Sequence, residues 1–135
     1  MAMRPINPEE LGAPRGYAHG MLAPSMGRML FVAGQTAANG DGRVGDADFV
    51  AQFELALTKS LVVVEAAGGR AQHVARMTVY VTDLAAYNRG RKALGEVWQR
   101  HMGSHYPAMA LVEVTGLVDA DATVEIEVTA VIPEP

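Results

Sequence analysis

Residues 48–82, DFVAQFELALTKSLVVVEAAGGRAQHVARMTVYVT, change their hydrophobic period part-way along, and that change decides the fold. Phe49, Val50, Phe53, Leu57, Leu61 and Val64 recur at helical spacing, with Asp48 placed to cap the helix and Gly68-Gly69 to stop it. From Val74 to Thr82 the period becomes two. Ala75, Met77, Val79 and Val81 face one way, and Arg76, Thr78, Tyr80 and Thr82 the other. An amphipathic helix running into a half-buried strand predicts helices laid on one face of a sheet.

Working outward, residues 28–35 (RMLFVAGQ) form an apolar run between glycines and read as a strand, with residues 17–22 as its predicted hairpin partner. Pro5, Pro8, Pro14 and Pro24 predict that the chain enters the fold late and extended. Downstream, residues 84–102 read as a second helix, and residues 109–114 and 123–131 as two further strands. The order is β-β-α-β-α-β-β, a single α+β domain over residues 1–135 with four to six strands and both helices on one face. The other face stays open. Arg76, Tyr80, Glu125 and Thr129 make it partly polar, a candidate for self-association.

Composition narrows the function. Half of the 135 residues are hydrophobic, enough to bury a core. Eleven basic residues against fifteen acidic ones leave a formal charge of −4, which argues against nucleic acid as a partner held by bulk charge. There is no cysteine, so disulfides, thiolate metal sites and a cysteine nucleophile are excluded. No apolar run reaches the roughly 18 residues of a membrane span, and residues 1–10 lack the apolar core of a signal peptide. A soluble, cytoplasmic protein with no membrane partner is expected.

Several motifs invite chemistry. Gly40-Asp41-Gly42-Arg43-Val44-Gly45 matches G-x-G-x-x-G, but Asp41 would face a pyrophosphate and no second nucleotide-binding half exists; a turn-rich loop is the better reading. His101 and His105 stand four apart, yet Gly103 and Ser104 break the helix between them and no third ligand is evident, so the expectation is a solvated helix end and no metal. Ser104 has no nucleophile-elbow sequence around it. Arg91 falls within the apolar stripe of Tyr87, Leu94, Trp98 and Met102. An unpaired buried guanidinium is costly, so Arg91 must pair with an acid, snorkel outward or line a cleft. Glu125 and Glu127 alternate with apolar residues on the last strand. They read as solvated carboxylates on the open face or as a water-activating base beside a ligand.

Taken together, Gly16-Tyr17, Phe31-Val32-Ala33-Gly34-Gln35, Gln52, Ala66-Ala67-Gly68-Gly69, Val74 to Asp83, Tyr106-Pro107-Ala108 and Val124-Glu125-Ile126-Glu127 resemble the Rid family (RidA/YjgF-like reactive intermediate deaminases) over nearly the whole chain. The resemblance implies a chorismate-mutase-like α+β fold, a homotrimer with a barrel-like core of sheets, and ligand clefts between subunits. It implies hydrolysis of enamine or imine intermediates without a cofactor. Glu125 and Tyr17 fall at the catalytic positions, and Gly34, Ala33, Met109 and Ala108 at substrate-binding ones. The departures are specific. Met109 stands where the family has its carboxylate-binding arginine, Ala33 where it has serine, Leu111 where many members have cysteine, and Arg91 where it has asparagine. Arg91 then becomes the candidate that holds an anionic ligand from another wall, bordering one cleft with Glu125 from the same subunit or a neighbour. Two other roles compete with hydrolysis: a non-catalytic small-molecule-binding trimer, and an endoribonuclease or translation inhibitor.

Overall fold

The computed structural model describes residues 3–134, so Met1 and Ala2, the first residues of the stretch read for a leader, lie outside it. A short ribbon opens the chain. Strand β1 (Arg4–Ile6) pairs antiparallel with β2 (Gly20–Leu22). Next come β3 (Gly27–Gln35), α1 (Phe49–Ala66), β4 (Val74–Val81), α2 (Leu84–Arg89), α3 (Arg91–Met102), β5 (Ala108–Glu113) and β6 (Val124–Pro133). The main sheet has four strands in the order β3-β6-β4-β5. Strand β6 inserts antiparallel between β3 and β4, while β4 and β5, joined through α2 and α3, run parallel.

The helix α1 forms where its period requires. The Asp48 carboxylate accepts the Ala51 N–H at 2.9 Å, satisfying one of the free donors of the first turn. Gly68 ends the helix at φ +89, a conformation open to glycine, and the Gly69 N–H bonds back to the Val64 carbonyl at 2.9 Å. Its inner face (Phe53, Ala56, Leu57, Leu61, Val64) packs on a sheet face made of Val32, Met77, Val79, Val81, Val124, Ile126, Val128 and Ala130. The one departure in β4 is a register shift between Val74 and Arg76, which puts Val74 in the core and leaves Ala75 half-buried.

The α+β fold with its helix-covered sheet agrees with the sequence reading. Two details differ. Residues 17–22 are not the hairpin partner of β3: β2 pairs with β1 instead, where Asn7 Oδ1 accepts the His19 N–H at 2.8 Å. Positive φ at Gly12 and Gly16 (79° and 78°) folds the intervening segment back, and Ala18 bridges in parallel to Ala108. The second helix is also two helices. Gly90 (φ −93, ψ 6) serves at once as the C-cap of α2 and the N-cap of α3. A Cβ there would stand 3.2 Å from Val50 Cγ2 and 3.3 Å from the Ala86 carbonyl oxygen, so a larger residue would crowd α1.

Residues 40–45 form the expected loop, with Asn39 Oδ1 accepting the backbone N–H of Asp41 and of Arg43. The two histidines are not a solvated end. His101 Nε2 lies 2.7 Å from Glu54 Oε2 and His105 Nε2 lies 2.8 Å from the Val74 carbonyl, so packing against α1 and β4 uses both rings. Among the described residues no group of three or more potential ligands is placed to hold a metal, and no helix is long and apolar enough to cross a membrane.

Candidate functional site

A cleft of about 300 Å³ opens on the helix side of the sheet, between α2, α3, the β5 edge and the segment before β2. Side-chain alternation fixes its floor. Met109 is paired with Met77 and Leu111 with Val79, so both point to the core face, and Val79, Phe53, Leu94 and Trp98 complete the apolar wall. The Trp98 ring is held twice, by its N–H to the His105 carbonyl at 3.1 Å and by stacking on Tyr106, with centroids 5.7 Å apart and planes 5° from parallel.

The mouth is cationic. Arg91 is exposed at the first turn of α3; its Nε donates to Asn88 Oδ1 at 3.1 Å and its Cζ sits 5.1 Å from the centre of the Tyr87 ring. Of the three roles open to it, Arg91 combines two: it is exposed, and it lines the cleft. Arg15 lines it too, presented by the turn at Gly16 that leads to the Ala18–Ala108 bridge. Neither arginine has a carboxylate partner among the described residues, and no acidic side chain lines the cleft. Sequence reasoning missed Arg15. Its signal was the neighbouring Gly16-Tyr17, whose backbone turn carries the preceding residue to the site.

The remaining candidates lie elsewhere. Glu125 is paired across the sheet with Tyr80, on the open face, and its carboxylate rests on Gly34, where an added Cβ would overlap it. Beside it, Ala33 is exposed, in the irregular step of β3 between Val32 and Gln35. The two carboxylates of β6 differ. Glu127 accepts the Tyr80 hydroxyl at 2.6 Å, whereas Glu125 is half-buried with no hydrogen-bond or ion-pair partner among the described residues. The bond to Glu127 holds the Tyr80 phenol above its ordinary value, with lesser contributions from partial burial and the negative charges of Glu127 and Glu125. Tyr17 is 36% exposed and edge-on to His19, with centroids 5.3 Å apart. Ala108 opens β5 at the bridge to Ala18.

Within one chain five of the seven candidates fall into two groups, with Tyr17 and Ala108 in neither. Arg91 and Met109 share the cleft, while Gly34, Ala33 and Glu125 gather on the opposite face of the sheet. A single chain does not bring Arg91 and Glu125 together.

The profile of a family described as Endoribonuclease L-PSP matches residues 8–132. A RutC family protein of Pasteurella multocida is 30% identical over 88% of this chain and 92% of its own length. A 2-iminobutanoate/2-iminopropanoate deaminase of Escherichia coli is 29% identical over 88% of this chain and 91% of its own. The crystal structure of a Rid-family protein of unknown function from Yersinia pestis superposes with a TM-score of 0.80 at 30% identity, covering 98% of this chain and all of that one.

Proposed function

The chain belongs to the Rid family, and on that premise we propose that it hydrolyses a reactive imine or enamine of an organic acid, in a cleft that a second copy of the chain completes. One observation carries the reading. Glu125 is a half-buried carboxylate seated on Gly34 and free of the hydrogen bond that occupies its neighbour Glu127. A carboxylate so placed accepts a proton from water as that water adds to the C=N carbon. The proton is returned to the nitrogen, giving a carbinolamine (an enamine first tautomerises to the imine). The new hydroxyl then gives up its proton, which passes to the amine as the C–N bond breaks and the C=O bond forms. The products are ammonia and a 2-oxo acid. Tyr17 borders the same reaction space, and Arg91 holds the acid group of the substrate.

The need for a second copy follows from the sheet. The cleft opens at the β5 edge on the helix face, and Glu125 points from the opposite face. A neighbour's open face, laid against this edge, would bring its Glu125 to the cleft. That face has apolar surface to bury, with Phe31 73% and Met29 62% exposed. A closed ring of three copies gives each cleft one such neighbour.

Met109 favours a second reading, a trimer of the same kind that binds a small anionic ligand without turning it over. A thioether there cannot make the charge-assisted fork of the family's arginine. The formal charge of −4 speaks against the ribonuclease role. The test is ammonia release from 2-imino acids generated in situ by an amino-acid oxidase. The hydrolase reading expects release faster than the uncatalysed rate, and slowed about a hundredfold by Glu125→Gln. Release at the uncatalysed rate, with a 2-oxo acid still bound, would establish the binding protein instead.

A further inference from the structure

The cleft has a composition that says what kind of acid it takes. Two exposed arginines, Arg15 and Arg91, line it, with no carboxylate among the lining residues to neutralise either. Its floor is apolar, formed by Phe53, Val79, Leu94, Trp98, Met109 and Leu111. Phe53, Leu94 and Trp98 are buried and Val79 is fully so, so the floor is part of the core and stays shaped when empty. Charge at the rim and hydrocarbon beneath it match a ligand with the same division.

We propose that Arg15 and Arg91 jointly hold the carboxylate of an amphipathic acid whose branched or aromatic body fills the pocket under α3. This rests on the reading of the cleft as the substrate half-site, and it adds both the substrate class and a positioning role for Arg15. A three- or four-carbon acid anchored at the mouth leaves the apolar floor facing water. A body three carbons longer covers it, and each methylene buried there strengthens binding about fourfold. Two guanidinium groups replace the single arginine that Met109 cannot supply. They approach from the α3 side and from the Gly16 turn, and so hold the head group at the rim while the floor takes the hydrocarbon. Arg91 is already positioned by Asn88 and by the Tyr87 ring. Arg15 is exposed and leads into the backbone turn at Gly16.

The chain has one tryptophan, and it lines the pocket, so Trp98 fluorescence reports occupancy directly. The probes are stable 2-oxo acids, which bind without reacting: 4-methyl-2-oxopentanoate against 2-oxopropanoate, with 4-methylpentan-1-ol as the uncharged control. Titration followed by fluorescence and calorimetry should show the branched acid binding at least about tenfold tighter than the three-carbon acid. The alcohol should bind far more weakly than the branched acid. Arg15→Gln and Arg91→Gln should each weaken the branched acid about tenfold or more with the melting temperature unchanged, because both side chains are exposed. Equal affinity for the two acids, or an Arg15→Gln variant with undiminished affinity, would overturn the proposal. Tight, arginine-dependent binding by a protein that releases no ammonia would uphold it and overturn only the hydrolase reading.

Discussion

Glu125 and Gly34 form the smallest unit on which the account depends. The glycine leaves room for the carboxylate, and a methyl group at position 34 would occupy the same space. Gly34→Ala should therefore displace Glu125 and cost about a hundredfold in ammonia release, with a smaller effect on the affinity for a 2-oxo acid; equal loss in both would place Gly34 in the binding half-site. Met109 supports a second expectation. Lacking the arginine of that position, the protein should turn over 2-iminobutanoate more slowly than an arginine-bearing relative assayed beside it. Met109→Arg adds a third guanidinium to a cleft that already holds two, so it should help more in an Arg91→Gln background than alone. Helical spacing had already set Arg91 apart, because a charge inside an apolar stripe needs a reason. Arg15 carried no such mark, since its placement depends on a backbone turn and not on any period.

Among the elements, the helices were the most legible and the short ribbon the least. The Asp48 cap, the period of α1 and the Gly68 stop are local, and each was readable from residues a few positions apart. Strand β2 pairs with β1 through contacts some 16 residues distant that no local pattern encodes. The break at Gly90 was hidden because an isolated glycine is tolerated within a helix; the tight space against Val50 of another element shows why the residue there is glycine. Two interactions that tie elements together can be tested. Gln52 is buried, its amide donating to the Ala47 and Asp121 carbonyls and accepting the Thr123 N–H. Gln52→Ala strands these groups and should cost about 2–4 kcal/mol in urea denaturation. Glu54 joins α1 to α3 through His101 and Arg100. The bond to His101, and then that to Arg100, hold its carboxyl below the ordinary 4.5. A lowered carboxyl stabilises the fold above its unfolded value and loses that contribution as pH falls through the folded one. The stability difference between the parent and Glu54→Gln should thus be full near neutrality and vanish in acid below pH 4.5; a difference constant with pH would contradict this.

For the whole molecule, strand order was beyond the sequence. Inserting β6 between β3 and β4 is a choice among non-local pairings that period alone leaves open. The separation of Glu125 from the cleft was not read from the sequence, which left open whether Arg91 and Glu125 meet within one subunit, although strand parity explains it. Glu125 alternates with Val124 and Ile126 of the core, as Met109 and Leu111 pair with core residues of β4, so the two groups had to face apart. On the proposed mechanism, that parity calls for a second copy at each cleft. Sedimentation should give a trimer of the 14.3 kDa chain, and Phe31→Glu, which charges the most exposed aromatic of the open face, should yield monomers without hydrolytic activity. The most direct test of a site shared between copies is complementation. Glu125→Gln and Arg91→Gln chains are each assayed alone, then denatured together in equal amounts and refolded. Each variant alone should be impaired. If Glu125 and the Arg91 cleft come from different copies, random assembly leaves about a quarter of the sites with both groups intact, and the mixture should recover about that fraction of the parent's ammonia release. A mixture no more active than the average of the two variants would contradict the shared site.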